Sequence, residues 1–236
     1  MMPVSTQRTA LAWPWFWSLG GEICDEEGTP IFAEGVNYDA LKGTFDFLKK
    51  TIDTGITPTR VTSFMTDTDV NTDVMTGKVA CFVGGSWVGT QLASLMGAEK
   101  FEEEWGIATI PVSADGHKST CCGGWTVGVF TQDETKRALA AELGIRAFIN
   151  REGMLGYTEV EGNLPCRRDV YDAPRFESDW QATAFCKLFE DGHVRPAFDI
   201  YTYISQEFQA AIANVISGAQ TSEEAIETMK TNVDLY

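Results

Sequence analysis

Basic residues are scarce. Lysine and arginine together number 18 in 236 residues, against 34 aspartates and glutamates, a formal net charge of −16 at pH 7. A nucleic-acid surface needs a basic footprint to displace counterions from phosphate, and an anionic leaflet attracts basic segments, not acidic ones. Both partners are therefore excluded. Histidine is scarcer still, with only His117 and His193. The six cysteines (Cys24, Cys81, Cys121, Cys122, Cys166 and Cys186) include no C-x-x-C pair. The ligand spacing of a structural zinc is missing, and no metal or cofactor is expected. One disulfide remains open, without partners that the spacing can name. No apolar run reaches the length of a membrane span, so no direct insertion is expected. The opening MMPVSTQRTALAWPWFW is not a secretory signal, because Pro14 and three tryptophans interrupt any apolar core. Walker, G-x-S-x-G and dinucleotide glycine signatures are absent too.

Little remains to support an enzyme. A nucleophilic Cys121 or Cys122 would need His117 beside it in space. Acidic runs such as Glu102, Glu103 and Glu104 arise readily in a chain this acidic, and none ends a strand. The run DTDVNTD at 67–73 lacks calcium-loop chemistry, because its sixth and twelfth positions are Thr72 and Lys78 instead of glycine and glutamate. It reads as a solvated helix face.

What the chain has in excess is tryptophan, seven in all. Trp13, Trp15 and Trp17 precede Gly20-Gly21, Trp87 follows Gly84-Gly85, and Trp125 follows Gly123-Gly124. Any single tryptophan most often fills core, and Trp105 and Trp180 are read that way. A broad indole face beside bare backbone amides also suits an amphipathic ligand such as a sugar ring. Three such clusters at glycine turns favour a crevice.

The apolar fraction of 44% and charged fraction of 22% are those of a globular chain. Tyr38, Leu41, Phe45, Leu48 and Ile52 form one stripe, predicting a helix over 37–53. A shorter helix is expected at 67–76, a strand at 79–83, a helix at 88–96 and strands at 105–110 and 126–130. Asp115–Thr120 reads as a polar loop. Thr131 and Glu134 are spaced as a capping box for a helix over 133–150 with Leu139, Leu143, Ala147 and Phe148 inward. Residues 151–172 read as turns. Helices follow at 178–190 and 203–217, and Thr221 with Glu224 caps a last one. Strands alternating with helices predict an α/β fold with a partly parallel sheet, whose ligands bind outside the carboxyl ends of the strands.

The order of the segments resembles the carboxyl-terminal portion of an extracellular solute-binding protein of ABC importers, the family that includes maltose-binding protein. The shared features are Trp13-Pro14 and Gly20-Gly21, then TGKVACFVGGSW at 76–87, Ile110-Pro111 and Gly123-Gly124-Trp125. Asn163-Leu164-Pro165, Arg195-Pro196 and a terminal helix pair ending SGAQTSEEA at 217–225 complete the set. Met75 stands where many members have an aromatic residue, and Cys81 where many have methionine.

The resemblance implies an α/β, periplasmic-binding-protein-like (type II) fold with one near-complete lobe and an incomplete second lobe. Residues 1–122 with 193–236 would form the carboxyl-terminal lobe, and 123–192 part of the amino-terminal lobe and the hinge crossings. It implies a sugar or oligosaccharide ligand held between lobes, delivery to ABC permease membrane subunits, and an extracellular or periplasmic location for the full-length member. Ligand-binding residues implied are Trp13, Trp87, Gly123, Gly124, Trp125 and, by a looser alignment, Tyr203. The comparable amino-terminal half is not in this sequence, so a fragment with impaired binding is expected. A carbohydrate hydrolase using paired carboxylates, or an inert remnant, are the rival readings.

Overall fold

The computed structural model describes residues 9–236 apart from Met65, Ser113 and Asp115. Residues 1–8 of the opening segment, and Asp115 at the head of the expected polar loop, lie outside the described residues, as do the side chains of Asp67 and Thr68. In chain order the first elements are α1 (Thr9–Ser18), α2 (Gly35–Asp53), α3 (Asn71–Met75), α4 (Ser86–Met96), α5 (Ala98–Glu104) and β1 (Thr120–Cys122). There follow α6 (Glu134–Gly144), α7 (Arg151–Glu161), α8 (Pro174–Ser178), α9 (Trp180–Leu188), β2 (Gly192–Val194), α10 (Tyr201–Ser217) and α11 (Ser222–Asp234). Two compact units result. One comprises residues 1–84, 109–123 and 191–236, the other 85–108 and 124–190.

The first unit is built on α1, α2, α10 and α11. The stripe read from α2 is its inner face, with Leu41 and Phe45 fully buried and Leu48 and Ile52 nearly so. Helix α10 contributes Ile204, Phe208, Ile212 and Val215, and α11 adds Ala225, Ile226, Met229 and Val233. Gly218 makes the left-handed turn between them at φ +79°, a conformation that costs glycine nothing. Thr221 then starts α11 with the expected capping box, its hydroxyl accepting from the Glu224 amide while the Glu224 carboxylate accepts from the Thr221 amide. Ser222 donates to Asp46 at 2.6 Å and Lys42 reaches Glu223 at 3.2 Å, fixing that end on α2. Strands β1 and β2 pair in parallel, Cys121 opposite His193.

The second unit has a core of Met154, Val170, Ala173, Phe176 and Ala182, flanked by Leu155, Leu164 and Tyr171. Helix α4 lies on α9 so closely that a methyl group at Gly89 would meet Gln181 Oε1 at 1.7 Å. Residues 85–108 fall in the second unit; the resemblance groups them with residues 1–84.

Several expectations are corrected. Segments 105–110 and 126–130 carry no strand, segment 79–83 holds a single bridge residue, Phe82, and among the described residues the sheet with both strands in place is the β1–β2 pair. A strand exists only where a neighbour takes its N–H and C=O groups, and hydrophobic pattern alone does not supply one. Helix α6 is capped by Asp133, which accepts from the Lys136 amide at 3.0 Å, instead of by Thr131. Its expected inner residues Leu139 and Leu143 are exposed. Residues 151–161, read as turns, are the helix α7, started by Asn150 accepting from Gly153 and stopped by Gly162 in the left-handed region. A π-helical turn, Ile145–Ile149, joins α6 to α7.

Candidate functional site

Trp13 is a core residue, contrary to its assignment as a ligand contact. Helix α1 is apolar on every side, and a helix with no polar face is buried all round. Trp13 is 0% exposed, stacks on Phe208 with centroids 3.7 Å apart and donates its indole N–H to the Tyr201 hydroxyl at 3.1 Å. Trp15 and Trp17 are buried with it. Gly21 is required here for packing, since a Cβ would lie 2.2 Å from the Phe16 ring. The first glycine-tryptophan cluster thus belongs to the interior.

Trp87 is different. It occupies the second position of α4, is half-buried, and lies back over Gly85. A Cβ at Gly85 would stand 2.1 Å from its Cζ3, so the bare backbone sets the ring's position. Gly85 brings no side chain to cap the first amides of α4, and that end carries the positive pole of the helix dipole. Trp125 is 84% exposed, outside any helix or strand, and follows the exposed Gly123 and Gly124. Gly123 lets the Arg195 guanidinium approach, a Cβ there falling 2.8 Å from Nη2. Gly123 and Arg195 each follow the carboxyl end of one of the paired strands. Tyr203, on α10, is partly exposed, and one face of its ring is covered by Tyr236 at 3.8 Å.

In the second unit, sequence reasoning missed a small cavity whose wall includes Ser86, Thr90, Asn163, Arg175, Asp179 and Gln181. Arg175, one of the lining residues, has its Nη1 shielded from solvent and without a hydrogen-bond partner among the described residues. In the sequence Arg175 and Asp179 read as an ordinary helical i, i+4 pair. Asn163 was visible only as part of Asn163-Leu164-Pro165.

The catalytic alternatives find little support. Burial pushes the Cys121 thiol up to about 11, despite the opposing charge of Arg195, so it stays a thiol where a nucleophile needs a thiolate. Its neighbour in register is His193, not His117, and the His193 ring stacks on Trp17 at 5.2 Å. Ser119, His193 and Glu22 line up, but at 3.5 and 3.9 Å, with Ser119 buried. Among the described residues no group of three or more metal-ligating side chains occurs, and no helix is long and apolar enough to cross a membrane.

The family profile described as bacterial extracellular solute-binding protein matches residues 3–184. The chain belongs to that family. Among solved structures it is similar to the maltose-bound MalE3 of T. maritima, with 20% identity, a TM-score of 0.81, and coverage of 99% of this chain and 60% of that one. It is also similar to the GacH receptor of Streptomyces glaucescens, solved without ligand and with acarbose, at 19% identity and a TM-score of 0.81, covering 100% and 60%. A third is the sugar-binding protein MalE of Xanthomonas citri, at 19% identity and a TM-score of 0.76, covering 99% and 57%. The fold is thus α/β and periplasmic-binding-protein-like of type II, and the chain spans about 60% of the length of these relatives.

Proposed function

We propose that this chain is part of the solute-binding component of an ABC importer, that its solute is a sugar or oligosaccharide, and that it binds without catalysing. The observation that carries the reading is the family match over residues 3–184. The Trp87 indole, seated over the bare backbone of Gly85, supports the sugar assignment. The relatives solved with maltose and with acarbose point the same way.

In the whole protein, capture would proceed by hinge closure of two lobes, outside the cell or in the periplasm, with release to permease subunits in the membrane. Within the second unit, Trp87 and Trp125 supply faces for the apolar side of a pyranose, and the Gly124 amide meets a hydroxyl. Trp13 takes no part. Because relatives extend well beyond this chain's length, the chain alone binds more weakly than they do.

The test is calorimetric titration with maltose, maltotriose and acarbose, on this chain and on the longest reading frame that contains it. The longer protein should give a saturable one-to-one complex. Trp87→Ala should cost it about 2 kcal/mol, the loss typical of a desolvated aromatic anchor. An unchanged Kd would make Trp87 a packing residue. A tight complex from this chain alone would overturn the impairment, and saturable binding of a non-carbohydrate solute in place of sugars would overturn the ligand class.

A further inference from the structure

We propose that the cavity beside the start of α4 is a subsite for a single hydroxyl group of a neutral sugar, and that Arg175 decides which hydroxyl is required. The proposal rests on the sugar reading above and adds to it a site contained within the second unit.

Three segments make the cavity. Ser86 and Thr90 lie one helical turn apart and so share a face of α4. Residues 162–164 close a second side. Gly162, at φ +72°, is seated so tightly that a Cβ would fall 2.2 Å from Thr90 Oγ1 and 3.3 Å from the Trp87 Cα. Arg175 from α8, with Asp179 and Gln181 at the start of α9, closes the third.

The charge balance argues for a neutral group. Arg175 Nε lies 3.7 Å from Asp179 Oδ2, so the guanidinium has a counter-charge at hand. Asp179 is itself held in place, its Oδ1 accepting from the Gln181 and Ala182 amides at 2.9 and 3.0 Å. An incoming carboxylate would face Asp179, and an incoming ammonium would face Arg175.

The hydrogen-bond inventory points the same way. Arg175 Nη1 can only donate, and shielded from solvent without an acceptor it lacks a bond whose loss is costly. Asn163 donates its Nδ2 to the Tyr157 hydroxyl at 3.3 Å, which leaves its carbonyl oxygen as acceptor. A group that accepts from Nη1 and donates to an amide oxygen is a hydroxyl. The size agrees, because the cavity is close to the smallest that admits a single water-sized group. Trp87 sits at the same end of α4, so the indole face and the hydroxyl pocket belong to one corner of the unit.

A site that hydrogen-bonds a hydroxyl rejects the analogue that lacks it, because its buried polar groups are then left unpaired. The experiment measures binding of D-glucose and of 2-, 3- and 6-deoxy-D-glucose to this chain by ligand-detected NMR at millimolar sugar. One analogue should bind at least about ten-fold more weakly than glucose. Arg175→Met should erase that discrimination. Since Arg175 also lies over the Phe176 ring, Thr90→Val serves as the second variant, removing one hydroxyl without changing shape, and should reduce the discrimination. Denaturation curves accompany both variants. Equal binding of all four sugars, the result for a cavity holding only a fixed water, overturns the subsite and leaves the sugar reading standing. So does discrimination that survives intact in a folded Arg175→Met. Failure of every sugar to bind overturns the subsite as well, and the titration of the longer reading frame then decides the sugar reading on its own.

Discussion

Trp13 and Trp125 lie at opposite extremes of exposure, 0% and 84%, and removing each ring should read out differently. Trp13→Ala deletes a ring stacked on Phe208 and leaves the Tyr201 hydroxyl without its donor. Such truncations in a core cost about 3–5 kcal/mol, and chemical denaturation should report a loss of that size. Trp125→Ala removes no buried surface and should leave the midpoint within about 0.5 kcal/mol of the parent, so any effect on sugar binding is direct. The cysteines make a second expectation at this scale. Burial pushes Cys24 up to about 11, the charge of Asp25 adding to the effect, and Cys121 to the same value. Both folded values lie above the ordinary thiol value of 9.0, so the folded chain holds these protons more tightly than the unfolded one. Their contribution is complete below pH 9 and is lost as pH rises toward 11. Denaturation midpoints should fall over that window, and Cys24→Ser with Cys121→Ser should flatten the fall. At pH 8 a thiol reagent should modify the exposed Cys81 and Cys166 first.

Helix α11 offers the cleanest test at the level of elements. Both halves of its capping box are formed, and Thr221→Ala removes the one at the helix entrance. A loss of about 1 kcal/mol is expected from thermal or urea denaturation. Thr221→Asn should restore most of it. This box was legible in the sequence, as were α2, α4 and α10, because each signal is local: a cap, a glycine stop, or a stripe at helical spacing. Thr131 and Glu134 had the same spacing, yet Asp133 took the cap, since a carboxylate two residues on competes for the same amides. The strands were not legible as strands. Val79–Val83 and Thr126–Phe130 have the composition, but a ladder is a property of two segments, and a single stretch of sequence says nothing about its neighbour. For the same reason Trp13 was misread. A glycine turn beside an indole looks alike whether the ring faces solvent or, as here, Phe208. Arg175 escaped notice because the burial of one guanidinium nitrogen depends on three segments far apart in the chain.

At the level of the whole molecule, two tendencies oppose each other. The segment Thr126–Phe130 belongs to no helix or strand, makes no ladder among the described residues, and exposes Val127, Val129 and, fully, Phe130. Such segments recruit other chains. A net charge of −16 holds copies apart, over a Debye length of about 30 Å at 0.01 M salt and about 8 Å at 0.15 M. Association measured by sedimentation velocity should therefore grow as salt is added across that range, and Phe130→Lys should suppress it. Association that falls with added salt would point to paired charges as its cause instead.

The division of the chain into units carries a last consequence. The backbone passes from one unit to the other four times, at residues 84–85, 108–109, 123–124 and 190–191. Neither unit is a single stretch that a protease could release whole. One cut at 123–124 would yield two pieces, each owning part of both cores, that must stay together to remain folded. Trimming from either end removes residues of the first unit alone, whereas grafting either unit onto another scaffold means drawing its boundaries around interleaved strings of residues.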